Sequence, residues 1–316
     1  MKVGIPKGLL YYKYHVFMET FFHELGCETV ISPDTNRFIL NQGVKYCVDE
    51  ACLPVKVFHG HVCWLRDKCD AILIPRIMSV KKREYICPKF CGITEMIANN
   101  IPHLPRLLGD PIYWESSEKL LKWALNSGRP VTSDKHKIKK ALDEAVNRQN
   151  SESLNARPDK RQFRVALLGH PYNIYDPFIN MNLIEKLNRL GVDILTEEFV
   201  DDQLIEEEVN KLYKKPFWTF VRSSYGAAIS MSVHGNIDGI VYISSFACGI
   251  DSVILELISR KTADLPLLVL KIDEHTGEAG FNTRIEAFTD MLGRRIKIDH
   301  NNSSHGQRVS GRKSIV

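Results

Sequence analysis

The sequence predicts an α/β protein made of two open parallel-sheet units facing each other across a cleft. Three observations carry that expectation. Short apolar runs alternate with stretches of helical period. Gly or Pro punctuates most junctions. A polar stretch over 145–162 divides the chain, and each half opens with the same succession of strand, Gly/Pro turn, helix, Gly and strand. Such alternation builds a parallel sheet with helices on its faces. The halves share no close sequence identity, so their likeness is one of architecture.

In chain order, residues 2–5 are an apolar run ended by Pro6, Lys7 and Gly8. Phe17, Phe21, Phe22 and Leu25 recur at helical spacing and predict a helix over 11–25, which Gly26 stops. A strand over 28–32 ends at Pro33, and Asp34 with Thr35 caps a helix running through Gly43. A helix over 53–65 and a buried strand over 71–75 follow. Past the polar stretch, a strand over 164–168 runs into Gly169, His170 and Pro171, and a helix over 179–190 is stopped by Gly191. Strands are expected over 192–195, 238–243 and 267–272; the second leads straight to Cys248, and the third to a loop and a helix over 282–292. The domains read as 1–150 and 163–298, and the polar tail 299–316 reads as a frayed terminus.

Composition narrows the class. With 316 residues the chain has room for two domains. An apolar content of 44% and a charged content of 25% are those of a soluble globular protein. The net charge of +4 comes with no dense Lys/Arg stripe interleaved with aromatics, so nucleic acid is not an expected partner. Lys81, Lys82 and Arg83 read as a solvated loop. No uninterrupted apolar run reaches the roughly 18 residues of a membrane span. The N-terminus reads as a first strand and not as a signal peptide. The expected compartment is therefore the cytoplasm, where cysteines serve as thiols or metal ligands more often than as disulfides.

Cysteine placement is the most informative chemical signal. Six of the eight lie between residues 47 and 91: Cys47, Cys52, Cys63, Cys69, Cys87 and Cys91; Cys27 and Cys248 stand apart. Cys52 precedes Leu-Pro, Cys87 precedes Pro and Cys248 precedes Gly, so each adjoins exposed backbone. An iron-bound thiolate needs such a setting, because its sulfur accepts hydrogen bonds from nearby N–H groups. Neither close pair, Cys47 with Cys52 or Cys87 with Cys91, has the C-x2-C spacing of a zinc ribbon. On one helix, residues five apart point roughly 140° from each other. Cys47 and Cys52 therefore share an ion only if the helix breaks between them, and Cys52 with Cys87 is the better pair. Cys27, Cys63 and Cys69 read as small buried hydrophobes.

The segment 273–280, Asp-Glu-His-Thr-Gly-Glu-Ala-Gly, follows a predicted strand and is too polar for a plain turn. Glu274 and His275 suit metal binding or acid–base work. The structural reading is that Asp273 and Glu278 cap a helix and hold a loop. Thr283 and Arg284 open the next helix, a place that favours an anion. The chain has neither GxxxxGK[ST] nor GxGxxG, so ATP hydrolysis and nicotinamide binding are not expected.

Several strings together resemble the family related to the activases of 2-hydroxyacyl-CoA dehydratases. They are Gly4-Ile-Pro-Lys-Gly-Leu-Leu-Tyr-Tyr12, Asp49-Glu-Ala-Cys-Leu-Pro-Val-Lys56, Glu84-Tyr-Ile-Cys-Pro-Lys89, Cys248-Gly249, and 273–280 with Thr283 and Arg284. That family is similar to the iron–sulfur subunits of 2-hydroxyacyl-CoA dehydratases, benzoyl-CoA reductases and double-cubane-cluster proteins. The resemblance implies two flavodoxin-like domains and a [4Fe-4S] or larger iron–sulfur cluster between them. Its ligands would be Cys52, Cys87 and Cys248; Cys91 matches no cysteine of the family pattern and is a candidate fourth ligand only because it lies one helical turn from Cys87. It also implies a separate ATPase activator or redox partner, since the actin-like phosphate loops of the ATPase are absent. The expected function is low-potential electron transfer or reductive chemistry, with Glu274 and His275 folded over the cleft beside Cys248. An electron-transfer or scaffold component without catalysis, and a zinc or regulatory binding module, are the alternatives. A homodimer is left open.

Overall fold

The computed structural model describes residues 1–152 and 162–304. The first half begins with β1 (Lys2–Ile5), α1 (Tyr11–Glu24), β2 (Glu28–Ile31), α2 (Arg37–Tyr46), α3 (Leu53–Leu65) and β3 (Ala71–Leu73). It continues through β4 (Ile77–Ser79), α4 (Pro88–Cys91), α5 (Ile93–Asn100), β5 (Arg106–Leu108), β6 (Ile112–Tyr113), α6 (Ser117–Gly128) and α7 (Lys135–Ser151). The second half holds β7 (Phe163–Gly169), α8 (Pro171–Ile174), α9 (Leu183–Arg189), β8 (Val192–Leu195), α10 (Asp202–Asn210) and α11 (Thr219–Val233). It ends with β9 (Gly239–Ser245), α12 (Gly249–Lys261), β10 (Leu267–Ile272) and α13 (Glu278–Ser304).

Each half contributes one four-stranded parallel sheet, in the orders β2-β1-β3-β5 and β10-β9-β7-β8. Within each sheet the first strand lies inside, flanked by its successor on one edge and the third strand on the other. This is the flavodoxin-like order, and it places a switch point between β1 and β3 and another between β7 and β9. Register is in phase from β7 to β8, with Phe163 opposite Val192, and Val165 of β7 lies opposite Gly239 of β9. A small parallel pair, β4 with β6, lies outside both main sheets and was not expected.

The strands form because their side chains are buried on both faces, as parallel sheets require. In the second half, Val165, Leu167, Val241 and Ile243 pack with Leu183, Leu187, Phe281 and Ile285 on one side. Ala166, Leu168, Ile240 and Tyr242 pack with Tyr225, Ala228 and Ile258 on the other. In the first half Trp123 packs against Phe17 and Phe21 in tilted contacts, with ring centroids 5.2 and 4.9 Å away. Each such large apolar side chain contributes roughly 1.5–3 kcal/mol by leaving water.

The halves are not independent. Ile39 and Leu40 of α2 and Leu53 and Val57 of α3 belong to the second sheet's core. The α2–α3 pair is thus a wedge between the sheets. Its two helices touch backbone to backbone: a Cβ at Gly43 would overlap the Lys56 carbonyl, and one at Gly60 the Ile39 carbonyl.

Several expected boundaries move. The helix expected from Asp34 and Thr35 starts at Arg37, because Asn36 is the cap and accepts from the Ile39 N–H at 3.1 Å. The helix expected over 179–190 starts only at Leu183, because Met181 and Asn182 take left-handed conformations with φ of 54° and 58°. The polar stretch 145–162 is helical to Ser151, with Ala145 buried, and 153–161 lie outside the described residues. The final helix starts earlier, at Glu278, and continues to Ser304; the rest of the expected frayed tail, 305–316, lies outside the described residues. No helix among the described residues is long and apolar enough to cross a membrane.

Candidate metal centre

Cys52, Cys87 and Cys248 come from three distant segments and line one cavity of ≈ 390 Å³ between the halves. Each is the N-cap of a helix: Cys52 of α3, Cys87 of α4 and Cys248 of α12. The sequence prepares these starts. Pro54 and Pro88 lie in the first turns of α3 and α4, where a missing N–H costs nothing and a fixed φ suits the helix. Ala247, in the left-handed region at φ 62°, turns the chain from β9 into α12. An N-cap sulfur meets backbone N–H groups that the helix leaves unbonded. The nearby Val55 N–H favours the thiolate form of Cys52, and the Lys89 N–H that of Cys87.

The Cys87 loop is tied to the second half. The Tyr85 N–H donates to the Phe217 carbonyl at 2.7 Å, and the Thr219 N–H donates to the Tyr85 carbonyl at 3.0 Å. Arg222 adds an ion pair to Glu84 at 3.2 Å. Cys248 reaches the cavity from the carboxyl end of β9, where open α/β sheets place ligands.

Burial pushes the Cys52 thiol up and the Cys248 thiolate adds to that; Lys89, the Val55 N–H and His170 oppose it. Burial likewise pushes Cys87 up against the pull of the Lys89 N–H. Three thiols brought to one cavity favour a bound cation, which deprotonates coordinating thiols outright. The donor set therefore fits a metal or an iron–sulfur group.

One wall carries polar groups that the sequence did not bring forward. His170 follows β7 and is 5% exposed. Its Nε2 lies 3.1 Å from Asp251 Oδ1 and 4.0 Å from Cys248 Sγ. Tyr172 stacks on the imidazole at 5.0 Å and 7°, and Phe220 meets it edge-on. Asp251 is fully buried and also accepts from Tyr242 Oη at 2.9 Å and Ser244 Oγ at 2.7 Å. Burial pulls the imidazole pKa down, and the Asp251 carboxylate outweighs it and holds His170 well above its ordinary value. Burial would raise Asp251, but His170 and the two hydroxyls hold it below the carboxylate range. His170 Nδ1 and Asn173 Nδ2 are buried with no partner among the described residues. A usable signal existed: His170 sits at the carboxyl end of a strand, and Asp251 is three residues past Cys248.

Cys91 is the last residue of α4 and is not among the described residues lining the cavity. The break between Cys47 and Cys52 does occur, since α2 ends at Tyr46 and α3 begins at Leu53, yet Cys47 is not in the lining either. Burial pushes its thiol up to about 11. Cys27 and Cys63 are buried in the first core, and Cys69 Sγ donates to the Leu65 carbonyl.

Glu274 and His275 line a different cavity, of ≈ 1020 Å³, with Arg37, Leu40, Lys45 and Met181. The first turn of α3 divides the two spaces: Leu53 lines the larger, Cys52 and Pro54 the smaller. Glu274 accepts a hydrogen bond from buried Lys56. Burial would raise its carboxyl, but Lys56 holds it low. Asp273 organises the loop, accepting from the His275 N–H at 3.0 Å and from Thr276 Oγ1 at 2.7 Å. The structure thus unites Cys52, Cys87 and Cys248, and leaves Cys91, Glu274 and His275 outside their cavity.

The sequence matches the family model described as CoA enzyme activase uncharacterised domain over residues 2–200, a span that includes Cys52, Cys87 and His170. Among proteins with curated descriptions, none matches the sequence. Among solved structures, a point mutant of the manganese-bound periplasmic metal binding protein from Candidatus Liberibacter asiaticus aligns over 93% of this chain and 99% of its own. At 11% identity and a TM-score of 0.26 that likeness carries no argument.

Proposed function

The chain belongs to the family of the CoA enzyme activase uncharacterised domain, and from that premise we propose that it is an iron–sulfur protein of the 2-hydroxyacyl-CoA dehydratase and benzoyl-CoA reductase type. It holds a [4Fe-4S]-type cluster between its two sheets for low-potential electron transfer or reductive chemistry. The observation that carries this reading is the convergence of three helix-capping cysteines on one cavity. A bound [4Fe-4S] group supplies one-electron transfer at a potential set by charge, hydrogen bonds to sulfur and exposure.

The chain's residues supply the rest. Cys52, Cys87 and Cys248 bind as thiolates. The Val55 and Lys89 N–H groups steady the negative charge at two of them. Pro54, Phe90, Tyr172, Trp218 and Ile250 line the cavity with apolar groups, and a lower local dielectric strengthens each of these interactions. Three thiolates leave a fourth position for a donor from this chain or for a ligand. With no phosphate loop in the sequence, the electrons are supplied by a separate ATPase activator or redox partner, in the cytoplasm.

A second reading is a structural zinc site, favoured by one observation: His170 stands beside Cys248, and three thiolates with one imidazole are a set that zinc takes. Anaerobic purification with iron, acid-labile sulfide and zinc analysis separates the two. The cluster reading expects a brown protein with about four iron and four sulfide per chain. About one zinc per chain without sulfide overturns it.

A further inference from the structure

Backbone N–H groups of Val55 and Lys89 favour the thiolates of Cys52 and Cys87, whereas the group that approaches the Cys248 sulfur, at 4.0 Å, is the His170 imidazole. We infer that His170, held by Asp251, is a positioning residue that donates an Nε2–H hydrogen bond to the Cys248 thiolate and raises the reduction potential of a cluster bound there. The inference rests on the cluster reading above.

The tautomer decides the kind of contact. Asp251 is buried, and its carboxylate takes the Tyr242 and Ser244 hydroxyls as donors. An ionised carboxylate only accepts, so the Nε2 atom at 3.1 Å from Oδ1 must carry a hydrogen. That same Nε2 is the atom 4.0 Å from Cys248 Sγ. Its lone pair is not free to bind iron, so the contact with Cys248 is that of a shared N–H donor.

The ring is fixed on several sides. Tyr172 stacks on one face, Phe220 meets it at 81°, and Asp251 holds one edge. A donor fixed this way keeps its direction when the cluster changes charge. Hydrogen bonds to charged groups contribute more than neutral ones. The gain is larger for the reduced, more negative cluster, so the bond favours reduction.

The test is a potentiometric titration, followed by electron paramagnetic resonance, of the reconstituted full chain. At a fixed ambient potential, His170→Phe should lower the reduced-to-oxidised ratio about tenfold, a midpoint drop of about 59 mV for one electron, with iron content unchanged. His170→Gln retains an N–H donor and should recover most of the shift. Wild-type protein grown on 15N-histidine gives an answer that no misfolded variant can obscure. It should show a weak 15N hyperfine coupling in the reduced cluster. An unmoved midpoint in His170→Phe, iron lost from that folded variant, no coupling, or the strong coupling of a directly bound nitrogen would each overturn the inference. Wild type that binds no iron would instead overturn the cluster reading itself.

Discussion

Two cavities flank the first turn of α3, and different physics built them. The larger, at ≈ 1020 Å³, is lined with charge: Arg37, Lys45, Asp273, Glu274, His275 and Glu278. The smaller, at ≈ 390 Å³, is lined mainly by apolar groups around three thiols, with Lys89 and His170 among them. Ionisable density draws attention to the larger. Yet several of its charges are engaged in structure: Glu274 with Lys56, Glu278 with Lys186 at 2.6 Å, and Asp273 with its own loop. In the smaller, three distant segments end helix starts on the same point. Convergence of unbonded N–H groups and soft donors is the better guide to a site than the number of charges.

The contrast extends to two carboxylates that meet lysines of the first half. Glu197 lies 3.4 Å from Lys13, fully enclosed, and burial pushes it up to about 7. Glu274 meets Lys56 at a partly open edge and is held low.

The largest effect is expected from the wall that both cavities share. Gly60→Ala forces α2 away from α3 at the Ile39 carbonyl. Such overpacking costs about 3 kcal/mol, read by urea unfolding. A loss below about 0.5 kcal/mol would mean that the wedge yields and that the two spaces are not rigidly divided.

Next comes the pH dependence of the two carboxylates. Glu197 has its folded pKa raised to about 7 from 4.5. Its contribution to stability is full below the lower value and is lost as pH rises through about 7. Glu197→Gln should therefore gain about 3 kcal/mol on wild type at alkaline pH relative to acid, because each tenfold change in proton affinity is worth roughly 1.4 kcal/mol. Glu274 has the opposite sign: its contribution is present above the unfolded value and is lost as pH falls through the depressed folded one. Variant-minus-wild-type unfolding energies that run parallel for both residues between acid and alkaline pH would break the contrast.

A smaller effect follows at Glu274 itself. Glu274→Gln keeps the shape and an acceptor but removes the charge facing Lys56. It should cost about 1 kcal/mol near neutral pH while iron content and midpoint potential stay at wild type. A changed potential would reconnect the larger cavity to the cysteines. The smallest effect belongs to Cys91→Ala, outside the lining of the cysteine cavity. Stability should move by about 0.5 kcal/mol or less, and iron per chain should not change.

The fold was readable because burial on both faces leaves short apolar strands between Gly and Pro stops. Strands at 2–5, 192–195 and 267–272 fall where the sequence puts them. Boundaries failed where a local competitor wins: the Asn36 cap, and the left-handed pair Met181 and Asn182. The convergence of Cys52, Cys87 and Cys248 was legible through the Pro and Gly that follow them, which mark helix starts. Cys91 is not among the described residues that line that cavity, and one helical turn of separation does not say which face meets it. The His170–Asp251 pair escaped because its partners lie 81 residues apart in the chain and meet only where β7 and β9 are neighbours. The Glu274–Lys56 pair was not legible, because its partners lie far apart in the chain and nothing in the sequence marks Lys56 as buried.

The most direct test is the iron content of single cysteine variants, reconstituted anaerobically and measured beside wild type with circular dichroism as the folding control. Cys52→Ala, Cys87→Ala and Cys248→Ala should each lose most of the iron and the brown absorbance while remaining folded. Cys47→Ala and Cys91→Ala should retain both. Iron kept in all three of the first set, or lost equally across all five, would contradict the account.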